Sequence, residues 1–149
     1  MENYVKAVLY AYPTLEKMEQ AYTVHIRNMA VLSYRQDLPA VAMAGKIVGQ
    51  ILQKRKLAWL KALVEKSVRR LSDEEKEIVA RSFRWKKQSG DNTTKTKYRR
   101  LSKKLLDKLG KCMENAGLTY DAFQEEFATM ELFQHIQSRL KRKAVLADG

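Results

Sequence analysis

Eleven residues between Lys86 and Lys108 have the types and spacing to grip a polyanion: Lys86, Lys87, Thr94, Lys95, Thr96, Lys97, Arg99, Arg100, Lys103, Lys104 and Lys108. Ammonium and guanidinium groups neutralise phosphates whatever the base sequence. Arginine can bond guanine bidentately, and threonine can meet a phosphate or a thymine methyl. Placed on a helix, Tyr98, Leu101, Leu105, Leu109, Cys112 and Ala116 share one face, and lysines and arginines fill the rest. Asp107 is the only acid on it before Glu114. Soluble helices normally mix charge signs on the wet face. This one repels itself, so an anionic partner is expected there. The plain alternative is a solvated basic face with no ligand.

The charge is unevenly placed. The chain carries a formal net +12, and Arg81–Lys111 alone holds twelve Lys/Arg against two acids, Asp91 and Asp107. Residues 112–138 hold five acids and no Lys/Arg, and Arg139, Lys141, Arg142 and Lys143 follow. A concentrated block of one sign is the footprint of a polyanion site.

Other chemistries find little support, and no enzyme activity, cofactor or metal is expected. His25 and His135 are too few and too isolated for a metal site. His25 borders the Met18–Met29 stripe and reads as a core-edge residue, while His135 has helical spacing to Glu131 and Arg139. Cys112, the single cysteine, falls on an apolar face and reads as buried filler. It also excludes an internal disulfide and suits a reducing compartment. There is no phosphate-cradling glycine loop.

The elements that must position the basic residues read as helices throughout. Hydrophobic residues make up 45% of 149 and charged ones 31%, with 6 Gly and 2 Pro, which predicts a globular chain with long helices. Asn3–Tyr12 is a short helix, stopped by Pro13, and Thr14 caps a second carrying Leu15, Met18, Tyr22, Ile26, Met29 and Ser33. From Pro39 to Arg70 nothing stops a helix, but its apolar phase changes beside Lys54–Lys56. Val41, Val48, Leu52, Trp59 and Leu63 lie on one line, and Leu57, Leu60, Val64, Val68 and Leu71 on another. Such a helix serves two cores. The expected division is therefore an N-terminal lobe, 1–56, and a C-terminal lobe, 57–149, sharing the helix 39–70.

In "LSDEEKEIVARSFRW", Ser72 and Glu75 form a capping box, and Ile78, Val79, Phe83 and Trp85 face inward. After the polar 88–94 turn, a helix starts at Thr94 or Thr96 and ends at Gly117, its C′ glycine. Thr119 caps a last helix with an apolar stripe from Tyr120 to Leu140. That stripe either covers the core or forms a homodimer interface, and core is the first expectation. The fold class is all-α: a bundle of five to six helices with a helix-turn-helix-like unit in the C-terminal half. No run of 18 apolar residues and no basic-then-apolar leader is visible, so no membrane span is expected and the location is read as cytoplasmic.

"LSDEEKEIVARSFRW" followed by "TKTKYRRLSKKLLDKL" resembles the promoter-reading C-terminal domain of bacterial sigma factors and the related late-transcription regulators of Gram-positive phages. The matching positions are Leu71, Ser72, Glu74 and Glu75, then Thr94 or Thr96, Tyr98, Arg100, Leu105, Leu106 and Leu109. The resemblance implies a helix whose leading side chains enter the major groove of double-stranded DNA. Sequence-specific transcription regulation is the function expected on both grounds. The alternative is an adaptor whose basic face meets RNA polymerase, a sigma factor or another acidic protein. RNA ranks third, because no aromatic stacking platform lies in the basic block.

Overall fold

The structure, a computed structural model, describes residues 3–35, 40–85 and 101–148. The protein is all-α. Its helices are α1 (Asn3–Arg35), α2 (Ala40–Arg69), α3 (Asp73–Ser82), α4 (Lys103–Asn115), α5 (Tyr120–Glu126) and α6 (Glu131–Asp148), with no strand among the described residues. No helix of these is long and apolar enough to cross a membrane. The expected helix at 39–70 is present as α2.

Two compact units are present: Met1–Tyr12 with Leu63–Gly149, and Pro13–Ala62. The first lobe boundary, expected at 56, thus falls at 62, and residues 1–12 join the C-terminal unit. The reason is burial. Val5, Ala7, Val8 and Leu9 are fully or almost fully buried in the larger unit, with Leu63 and Val64 of α2, Val79 of α3 and Phe83 just after it, and Leu109 and Met113 of α4. Gly110 of α4 faces Val5, and a Cβ there would lie 3.5 Å from the valine methyl.

Pro13 does not stop the first helix, contrary to the sequence expectation; it lies inside α1. Proline cannot donate to the carbonyl four residues back, which is that of Leu9. That oxygen instead accepts the indole N–H of Trp85, at 2.7 Å. A tertiary donor replaces the one proline removes.

Two further helices differ from expectation. α4 begins at Lys103, not near Thr94 or Thr96, because Ser102 is extended (φ −86°, ψ 152°) and its hydroxyl accepts the Leu105 N–H at 3.1 Å. The single last helix is divided into α5 and α6. Thr119 does cap α5, accepting from the Ala122 N–H at 3.1 Å. The break at Phe127–Met130 lets Phe123, Phe127 and Phe133 bury together, with Phe123 and Phe133 edge-on at 5.3 Å. A continuous helix would turn Phe133 about 80° away from Phe123.

Gly117 ends α4 as expected. Its φ is 112°, its N–H donates to Glu114 and that of Leu118 donates to Met113, the paired bonds of a Schellman end.

In the smaller unit Leu15, Leu57 and Leu60 are buried, and Lys61 pairs with Glu16 at 3.8 Å. The two apolar lines of α2 fare differently. Leu57, Leu60, Val64 and Leu71 are buried, whereas Val48, Leu52 and Trp59 are about half exposed. Of the line that holds Val48, Leu52 and Trp59, Leu63 is the described residue that is buried.

Candidate nucleic-acid interface

The candidate surface is built upward from α4. Leu105, Leu106, Leu109 and Met113 are buried and fix the helix in the larger unit. This leaves Lys103, Lys104, Lys108 and Lys111 exposed on its outer side. Lys103 and Lys104 occupy the first two helical positions after the Ser102 cap, and no acid lies in that first turn. Positive side chains there oppose the positive end of the helix dipole, while a bound anion would be favoured by both. Among the described residues neither Lys103 nor Lys104 makes an ion pair.

Lys108 is engaged. Its Nζ lies 3.5 Å from Oε1 of Glu75, the acid of the α3 capping box. In that box the Ser72 N–H donates to Glu75 Oε1 at 3.0 Å and the Glu75 N–H donates to Ser72 Oγ at 3.2 Å. The Ser72 backbone bond holds the Glu75 carboxyl below its ordinary value, with the Ser72 hydroxyl and Lys108 adding to the effect. The box expected from sequence is thus present, and it ties α3 to the second turn of α4.

Lys103, Lys104 and Lys108 are the predicted contacts that the structure brings together on one helix. Lys86, Lys87, Thr94, Lys95, Thr96, Lys97, Arg99 and Arg100 lie outside the described residues, as does Tyr98.

Arg84 is a basic residue the sequence reading did not single out. It is exposed and has φ 58°, the left-handed region where glycine is usual. Its N–H donates to Arg81 and that of Trp85 to Ala80, so α3 ends in a Schellman turn with arginine at the glycine position. No local sequence signal announces this, because arginine is a poor choice for that backbone. The turn delivers Phe83 to the core and Trp85 to Leu9.

Other candidates resolve simply. His25 is exposed, not at a core edge, because its position on α1 lies off the Leu15 side. His135 is exposed as well, in keeping with a surface position. Cys112 is half-buried, short of full filler, and lines a cavity of about 80 Å³ with Lys66, Ser67, Arg70 and Asn115. Among the described residues no cluster of His, Cys, Asp or Glu could hold a metal ion. The five acids between Glu114 and Glu131 are exposed, and none is paired with Lys103 or Lys104. No protein-family model, curated protein or solved structure matches the chain.

Proposed function

We propose that the protein binds double-stranded DNA as a transcription regulator, through the leading turn of α4 and the basic residues that precede it in sequence. The observation that carries this reading is the pair Lys103–Lys104, exposed, without an acid partner among the described residues, at the first turn of a helix anchored by buried leucines. An arrangement that costs the folded chain self-repulsion is compensated when a phosphate arrives. In this reading Lys86, Lys87, Lys104 and Lys108 contact phosphates. Thr94, Lys95, Thr96, Lys97, Arg99, Arg100 and Lys103 form the end that reaches base edges. The adaptor alternative gains nothing from the acids of 114–131, which leave the two lysines uncovered.

Fluorescence anisotropy over a salt series tests it. Neutralising about five to seven phosphates gives a log K against log salt slope of roughly −4.5 to −6. Lys104→Ala weakens binding equally on all duplexes and flattens the slope by about one unit. Arg100→Ala narrows the gap between selected and scrambled duplexes by about 1–3 kcal/mol. No duplex binding at about 50 mM salt, with tight capture of an acidic protein, would transfer the reading to the adaptor.

A further inference from the structure

The larger unit contains a groove of about 310 Å³ whose lining includes Tyr12, Trp85, Glu65, Arg69 and Lys76. Its two aromatic rings lie 4.5 Å apart between centroids, tilted by 40°, and both are half-buried. Each is fixed by its own hydrogen bond. The Trp85 indole donates to Leu9 at 2.7 Å, and the Tyr12 hydroxyl donates to Glu65 Oε1 at 3.0 Å. Rings held this way lose little rotamer freedom when a flat ligand stacks on them. Arg69 is exposed and Lys76 half-exposed, so two cations are on hand beside the aromatic wall. Glu65 keeps acceptor capacity beyond the Tyr12 bond, since a carboxylate has about four lone-pair sites.

We propose that this groove binds a nucleotide: the base packs on the Tyr12–Trp85 wall, Arg69 and Lys76 take the phosphate, and Glu65 accepts from an exocyclic amino group. A planar π-system carrying an anion is the ligand class that matches aromatic walls and cations together. The volume, about 310 Å³ and at the lower end for small-molecule sites, suits a single base with its sugar and phosphate. The ligand is either a free nucleotide or one exposed base of a single strand. None of the groove residues belongs to α4, so the proposal goes beyond the duplex reading and stands apart from it.

The test follows Trp85 emission in the full chain carrying Trp59→Phe, which leaves Trp85 the only tryptophan. AMP and a single-stranded deoxyadenylate tetramer are each expected to quench it saturably, whereas ribose 5-phosphate does not. Arg69→Ala and Lys76→Ala each raise Kd about tenfold or more, the loss of one charge-assisted bond. Lys104→Ala, outside the groove, leaves the quench unchanged, so duplex binding and groove binding fail separately. Equal affinities assign the site to a free nucleotide; a tetramer about tenfold tighter assigns it to a strand. The proposal is overturned if neither ligand quenches saturably at roughly 10 mM, or if the quench survives both alanine variants intact.

Discussion

Replacing Trp85 by phenylalanine keeps an aromatic ring in the groove wall and removes only the indole N–H with part of the ring area. The consequence falls on Leu9. Its carbonyl has lost its helical donor to Pro13 and accepts the indole at 2.7 Å, and the Leu9 side chain is fully buried. A stranded buried carbonyl costs about 1–3 kcal/mol, and the lost ring area about 1 kcal/mol. Trp85→Phe is therefore expected to destabilise by about 2–4 kcal/mol. Pro13→Ala supplies a new N–H to the same oxygen. In the Pro13→Ala background, Trp85→Phe should cost only the ring term, leaving a coupling of about 1–3 kcal/mol between positions 13 and 85. The four chains are compared by urea unfolding followed by far-UV circular dichroism. Additive losses, within about 0.5 kcal/mol, would refute the shared-carbonyl account.

Ser72→Ala removes the capping hydroxyl of α3 and should destabilise the larger unit by about 0.5–2 kcal/mol, read from the denaturant midpoint. The lowered Glu75 pKa gives a definite sign: its contribution is present above the unfolded carboxylate value of about 4.3 and is lost as pH falls through the lower folded value. Melts below pH 5 should show Glu75→Gln with a shallower acid loss than the parent chain; equal slopes would contradict this. Arg84→Gly relieves the left-handed backbone and should stabilise by up to about 1 kcal/mol, while lowering duplex affinity if the guanidinium grips a phosphate. A destabilised glycine variant would mean that the Arg84 side chain makes contacts worth more than the strain.

Local pattern in the chain was enough for everything carried within a turn or two of helix. The all-α class, the Ser72–Glu75 box, the Thr119 cap and the Gly117 Schellman end all depend on residues three to five apart. So does the inward leucine face of α4 that pushes Lys103 and Lys104 outward. Ser102 was readable in principle, since "RLSKKLL" places a cap before a leucine pair, but the unbroken apolar spacing from Tyr98 hid it. Distant partners settled the rest. Pro13 stays inside a helix because its cost is offset by a donor at Trp85, which no local pattern could announce. The aromatic stripe breaks at Phe127 because three rings gain more by meeting than one helix gains by continuing. Of the two stripes on α2, periodicity weighs both equally, yet Leu57 and Leu60 are covered while Val48 and Leu52 meet solvent. Periodicity reports that a face is apolar; only the packed chain decides whether anything covers it.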